Sequence, residues 1–352
     1  MSRRPLEAYV RRAWDQGPGP LLRVAGSAYG LGIAFRHRLY EIGVLRIRQP
    51  SLPVVSVGGV TVGGSGKTPV AAQIAAWLIE GGFRVGVATH GFADEIGVHR
   101  RLNPAADVDG GMDRHRVIEG LAARSSQVIV LDDGFQRRKL GRDFDVVVVD
   151  AETLARETVR YLPAGPFRER FEELRRADAI VVTRRSADET VASEVGNRLR
   201  GRFPNAAVYG CALRPGPLTP VNRAAEAIGS PAPAVAVAAV MKADLALAQM
   251  RDRLPSLVRL HPFPDHARLD SRTVAELIRE AGSGGIVGTL KDIARLEEAL
   301  GETTPLWYMS DRLEWDTDPA SLRERVCAVA EATTGEQAAP STEPDAATTG
   351  EL

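Results

Sequence analysis

Two short stretches carry the residue types that phosphate chemistry needs. In "GVTVGGSGKTP" (59–69), Gly63, Gly64 and Gly66 precede Lys67 and Thr68. Glycines let backbone N–H groups turn inward and approach phosphate oxygens closely. A helix opening directly after them adds free N–H donors and partial positive charge. In such a loop Lys67 reaches the β- and γ-phosphates of a nucleotide, and the Thr68 hydroxyl ligates Mg²⁺. Pro69 at the helix start costs little, since its missing N–H would have no helical partner. The residues expected to line the nucleotide are Thr61, Val62, Gly63, Gly64, Ser65, Gly66, Lys67 and Thr68. One position departs from the common pattern of Gly, four residues and Gly-Lys-Ser/Thr. Thr61 stands where the first Gly should be.

The second stretch is "VIVLDDGFQ" (128–136), an apolar run ending in Asp132-Asp133. A carboxylate at the C-terminal end of a neighbouring strand is where a nucleotide-bound Mg²⁺ is held. Open α/β sheets also bind their ligands at that end. The plainer alternative is an Asp-Asp-Gly turn after a strand.

The elements that must position these residues are legible as alternating patterns. "PVVSVGG" (53–59), "RVGVAT" (84–89), "QVIVLDD" (127–133), "DVVVVD" (145–150) and "AIVVT" (179–183) are near-continuous apolar runs. Strands buried on both faces of a parallel sheet read this way. Helical patterns such as "TPVAAQIAAWLIEGG" and "RVIEGLAARSS" lie between several of them, and Gly81-Gly82 stops the first. β-α-β alternation predicts an α/β fold, a phosphate-loop NTPase-like parallel sheet domain. A Pro-, Gly- and Ala-rich stretch predicts a linker over 216–232 after a first domain of 49–215. A second, smaller α/β domain is expected over 233–333, with strands in "AVAVAAV", "LVRLHPF", "GGIVGT" and "PLWYMS". Residues 334–352 read as a disordered tail.

The bulk composition of the 352 residues is ordinary for a globular chain, with 44% hydrophobic and 26% charged residues. A formal net charge of zero argues against a general nucleic-acid binder. Cys211 and Cys327 offer neither a disulfide framework nor metal-ligand spacing, which fits a reducing compartment. The N-terminal stretch lacks the plan of a signal peptide. Within residues 1–48, the uncharged run Val24 to Phe35 is too short to span a bilayer. Arg23, Arg36, His37, Arg38, Arg46 and Arg48 flank it. That composition suits a helix lying in an anionic membrane surface, or one packed on the domain with its basic residues solvated.

Together these segments resemble the tetraacyldisaccharide 4'-kinases of lipid A biosynthesis. The loop of that family reads approximately N-L-T-V-G-G-T-G-K-T-P, so a Thr at the first position is part of the resemblance. Further matches follow in order: "DDGFQRRKLGRDFDVVVVD", "LPAGPFRE" (162–169), "FPDH" (263–266), "TLKD" (289–292) and "RLEW" (312–315).

The resemblance implies two α/β units and a peripheral enzyme on the cytoplasmic face of the bacterial inner membrane. Its partners would be a lipid disaccharide substrate and, through the N-terminal helix, an anionic membrane surface. The implied reaction moves the γ-phosphate of ATP to the 4'-hydroxyl of tetraacyldisaccharide 1-phosphate, with Mg²⁺ as cofactor. It further implies Lys67, Asp132 and His266 as catalytic residues. Thr68, Asp133 and Glu169 would form the metal site. Arg168 and Arg170 are candidates for the substrate's 1-phosphate, or else ordinary helix-entry charges.

The chain also departs from that pattern. "HGFA" (90–93) replaces R-G-Y-G, and no G-D-E-P tetrapeptide occurs. Asp107, Asp109 and Asp113 are then the expected carboxylates to approach His266. Arg137 and Ala267 replace two family histidines. Two alternatives remain beside the lipid kinase. One is a phosphate-loop NTPase or kinase for another acceptor, and the other a nucleotide-binding scaffold with weakened catalysis.

Overall fold

A computed structural model of the protein describes Trp14 and residues 17–156, 158–231, 234–240, 243–263 and 270–337. Eleven strands form one sheet in the order β3-β2-β4-β1-β5-β6-β7-β11-β10-β8-β9. The N-terminal strands are β1 (Val54–Gly58), β2 (Val85–Thr89), β3 (Asp107–Gly110), β4 (Val128–Asp132), β5 (Phe144–Asp150), β6 (Ala179–Arg184) and β7 (Ala207–Pro220). The C-terminal strands are β8 (Ala234–Ala238), β9 (Leu257–Pro262), β10 (Ile286–Thr289) and β11 (Leu306–Trp315).

Every pairing is parallel except β7 with β11, so one antiparallel pair fuses two parallel wings. β1, β4, β5 and β6 are buried along their whole length, which is why they read as unbroken apolar runs.

Before the sheet comes α1 (Pro20–Glu41). Within the first wing come α2 (Lys67–Glu80), α3 (Ala93–Leu102) and α4 (Arg114–Ala123), then the short α5 (Ala151–Leu154). After β6 come α6 (Glu189–Arg202) and, past β7, α7 (Arg223–Ile228). The second wing carries α8 (Ala243–Arg253), α9 (Ser271–Ala281) and α10 (Leu290–Leu300), and α11 (Ala320–Gln337) closes the described chain.

Four features depart from the sequence reading. Residues 216–220, expected to open a linker, belong to β7, and part of the remainder forms α7. The last helix does not stay with the second wing. Leu322, Val326 and Ala330 of α11 join the core formed by Val70, Ile74 and Leu78 of α2, and Trp315 stacks on Trp77 at 5.7 Å. Residues 334–337, expected in the tail, continue α11, while 338–352 lie outside the described residues. Residues 107–110, which hold two of the carboxylates expected to approach His266, form the edge strand β3, paired with β2.

Candidate active site

The phosphate loop leaves β1 fully buried and enters α2 at Lys67. Gly63, Gly64 and Gly66 hold φ of 59°, 69° and 82°, left-handed values that side chains with a Cβ resist. No side chain caps α2, so its first N–H groups remain available to an anion. Thr183 at the end of β6 holds the loop by donating its hydroxyl to the Ser65 carbonyl at 2.8 Å.

The structure explains the departure at Thr61. That residue forms an antiparallel bridge with Phe167, and Val62 N–H donates to the Pro166 carbonyl at 2.9 Å. Arg168 N–H donates to the Val60 carbonyl at 2.9 Å. The first half of the loop is therefore tied by a backbone bridge to "LPAGPFRE", and Thr61 does not hold a left-handed φ that would call for glycine.

The two aspartates after β4 take different partners. Thr68 Oγ1 donates to Asp132 Oδ2 at 3.0 Å, and His99 Nε2 sits 3.0 Å from the same oxygen. Asp133 faces Lys67 Nζ at 4.0 Å and takes a bidentate contact from Arg168. Its φ of 57° is left-handed, a conformation aspartate tolerates better than most residues. Burial raises the Asp133 carboxyl, but Arg168 and Lys67 outweigh it and hold the group well below the usual carboxylate range. Burial depresses the Lys67 ammonium against the pull of Asp133.

A cavity of about 500 Å³ opens above these groups. The loop residues Gly63 to Thr68, Glu95, Asp132, Asp133 and Arg168 form one wall. The second wing supplies the other, with Leu245, Gln249, Met250, Lys291 and Met309. A second cavity of about 400 Å³ lies beneath α1, lined by Tyr29, Ile33, Arg36, Gln136, Arg168 and Glu169. Arg168 is common to both cavities.

The other expected site residues divide. Glu169 is not with the aspartates. Its buried carboxylate lies 3.0 Å from Arg36 Nη2 and 3.0 Å from His37 Nε2, which commits it to α1 rather than to the metal site. Arg170 pairs with Glu172 at 3.5 Å and lines neither cavity, which favours the reading as a helix-entry charge over the 1-phosphate role. His266 lies outside the described residues. The carboxylates expected near it are engaged elsewhere. Asp107 and Asp109 both pair with Arg124, at 2.6 and 2.9 Å, and Asp113 caps α4.

Three residues at the site escaped the sequence reading. Glu95, in the first turn of α3, faces the phosphate loop, and burial together with Asp132 raises its carboxyl. The signal was the dipeptide Asp94-Glu95, hidden by requiring the glycine and proline of G-D-E-P around it. His99 is fully buried against Asp132. Arg114 is 1% exposed, and its guanidinium nitrogens have no hydrogen-bond partner among the described residues. Burial and the nearby Arg137 push it down to about 10, while Glu95, Asp133 and Asp132 pull the other way.

The sequence profile described as tetraacyldisaccharide-1-P 4'-kinase matches residues 19–110 and 100–331. The chain belongs to this family. A tetraacyldisaccharide 4'-kinase of Oleidesulfovibrio alaskensis is 34% identical over 319 residues, covering 83% of this chain and 86% of the relative. One of Geobacter sulfurreducens is 30% identical over 336 residues, covering 86% and 91%. Among solved structures, LpxK from Aquifex aeolicus in complex with ATP superposes with a TM-score of 0.66 at 23% identity. That match covers 86% of this chain and 96% of that one, so the kinase family and this chain share the fold across both wings.

Proposed function

We infer that this chain is an ATP-dependent kinase that phosphorylates the 4'-hydroxyl of tetraacyldisaccharide 1-phosphate in lipid A biosynthesis. The observation that carries the reading is Arg168, which lines both the cavity at the phosphate loop and the cavity beneath α1. ATP occupies the first, with its phosphates over Gly63 to Thr68 and its base toward Leu245, Gln249 and Met250 of the second wing. The disaccharide head enters the second, so that donor and acceptor meet at Arg168.

Thr68 and Asp132 offer hard oxygen donors side by side, as Mg²⁺ requires. Mg²⁺ takes one or two protein ligands and completes its shell with phosphates and water. When bound, it neutralises charge on the phosphates. Lys67 and Arg168 supply fixed positive charge around the transferred group, and the buried Arg114 adds positive charge from behind the aspartates. They are in place before the reaction, so they cost no reorganisation as charge develops. The 4'-oxygen forms its bond to the γ-phosphorus as the bond to ADP breaks, and the hydroxyl proton passes to a base. His266 is assigned that role by the family pattern. Glu95, made more basic by burial and by Asp132, is a further carboxylate lining the cavity at the phosphate loop.

The acceptor's acyl chains fit a protein lying on a membrane surface through α1. Gly26 and Gly30 let this helix press on Tyr161 and Ala164, for a Cβ at either would come within 2.9 Å of them. Its outer stripe exposes Leu21, Val24, Leu31 and Phe35, with Arg23, Arg36 and Arg38 around it. An apolar stripe with basic flanks binds anionic bilayers in the interface plane. Among the described residues no helix is long and apolar enough to cross a membrane.

The test is direct. Full-length protein with ATP, Mg²⁺ and tetraacyldisaccharide 1-phosphate in detergent should yield a lipid heavier by one phosphate. ATP hydrolysis without a lipid product would favour an NTPase or another acceptor, and neither reaction would favour a scaffold.

A further inference from the structure

α3 is an amphipathic helix with an unusual inner face. Glu95, Val98 and Leu102, spaced i, i+3 and i+7, line the cavity at the phosphate loop. His99 shares their side of the helix and is fully buried. The adjacent side is gripped by α10 of the second wing. Arg295 pairs with Asp94, Arg101 pairs with Glu297, and a Cβ on Gly97 would lie 3.1 Å from the Ala294 Cβ. The helix is thus clamped at the place from which His99 projects.

A buried imidazole is a costly way to fill space, since leucine would pack there without polar atoms to satisfy. His99 satisfies one ring nitrogen only. Nε2 meets Asp132 Oδ2 at 3.0 Å, and Nδ1 has no hydrogen-bond partner among the described residues. A carboxylate can only accept, so Nε2 carries the proton and donates. The same Oδ2 also accepts from Thr68 Oγ1. Two donors on one oxygen fix the rotation of the Asp132 carboxylate and with it the direction of its other oxygen.

We propose that His99 is a positioning residue, which holds the Asp132 carboxylate in the orientation that serves the Mg²⁺-nucleotide. The proposal rests on the kinase reading given above. It is distinguishable from it because a chain without kinase activity would still reveal the effect in nucleotide binding. His99 touches neither nucleotide nor acceptor and acts only through Asp132.

The experiment compares His99→Leu, His99→Gln and His99→Asn in the full chain. Glutamine places an N–H donor where Nε2 stands, and asparagine falls short of it. Two readouts are taken. One is kcat with the KM values for ATP and lipid. The other is the gain in affinity for a non-hydrolysable ATP analogue on adding Mg²⁺, measured by calorimetry. Loss of a hydrogen bond to a charged partner predicts a fall of about ten- to a hundredfold in kcat for His99→Leu. The KM for lipid should be unchanged and the Mg²⁺-dependent gain in affinity should shrink. His99→Gln should recover most of both effects and His99→Asn little. A His99→Leu protein with wild-type kcat and wild-type Mg²⁺ response overturns the proposal. So do glutamine and asparagine variants that are equally impaired, because shape rather than donation would then be what matters. If His99→Leu does not fold, the contrast between glutamine and asparagine decides alone.

Discussion

α1 and α2 are both rich in small apolar residues, yet they treat them in opposite ways. α2 turns Val70, Ala71, Ile74, Ala75 and Leu78 into the core between sheet and α11. α1 keeps Leu21, Val24, Leu31 and Phe35 in solvent and buries Gly26, Gly30, Ile33 and His37 instead. A soluble helix has no physical reason to expose its larger apolar side chains and bury a histidine. The difference is what the proposed membrane contact accounts for: one face of α1 packs on the protein body, and the other presents apolar side chains outward. Its inner contact is polar and specific. His37 lies between Glu169 and Glu173 at 3.0 Å each, Arg36 reaches Glu169, and Arg175 reaches Glu41. Since Glu169 follows Arg168, the tether ends one residue from the nucleotide site.

The comparison breaks most visibly at the α2 end. Lys67→Ala removes the ammonium beside Asp133 while the loop glycines and the buried face of α2 remain. Phosphoryl transfer is expected to fall by about two to four orders of magnitude, the scale for losing one preorganised charge stabiliser. Thermal melting should confirm that the fold survives, and steady-state kinetics should show the loss in kcat. A folded variant with wild-type turnover would remove Lys67 from the site.

The α1 end should break differently. Leu31→Asp with Phe35→Asp changes only the outer stripe. Full burial of such side chains is worth about 1.5–3 kcal/mol each, so binding to anionic vesicles should weaken by about a hundredfold or more. ATP affinity should be unaltered. Co-sedimentation that matches the wild type would show that the stripe is not the lipid contact.

A smaller effect sharpens the inner interface. Burial lowers the His37 value, but the ring's hydrogen bonds to Glu169 and Glu173, with their negative charge, outweigh it and raise the ring above its ordinary 6.5. Stability from a raised histidine is fully present below the unfolded value and is lost as pH rises through the folded one. Hydrogen exchange in α1 should therefore quicken above about pH 6.5, relative to the core, as the ring loses its proton. His37→Gln should remove most of that dependence. The effect is the smallest of the three because Arg36 and Arg176 keep their charge on the same carboxylates over this range.

How much of this was legible in the sequence follows from the same physics. β1, β4, β5 and β6 were visible because central parallel strands are apolar on both faces. β3, "DVDG", was not, because an edge strand tolerates polar residues. The end of β7 read as a linker because of Pro215, Pro217 and Pro220. β6 pairs with β7 only as far as Ala212, so these prolines lie where one side of the strand has no ladder to donate to. The phosphate loop and the aspartate pair announce themselves by local spacing. Glu169 misled because its place beside Arg168 says nothing about which way its carboxylate turns. His99 could not have been found, because its partner is 33 residues away and its position reads as one more polar residue on an amphipathic helix.

The central claim is that one molecule holds a nucleotide site and a lipid-facing helix that serve a single transfer. The most direct test measures phosphoryl transfer from ATP to tetraacyldisaccharide 1-phosphate, presented once in anionic vesicles and once in detergent micelles at saturating lipid. It compares the wild type with the Leu31→Asp, Phe35→Asp protein. The account predicts that this variant loses most of its activity on vesicles and recovers it in micelles, because only access to the bilayer has been removed. Equal activity of the two proteins on vesicles would contradict the claim, and so would a wild type that hydrolyses ATP without ever phosphorylating the lipid.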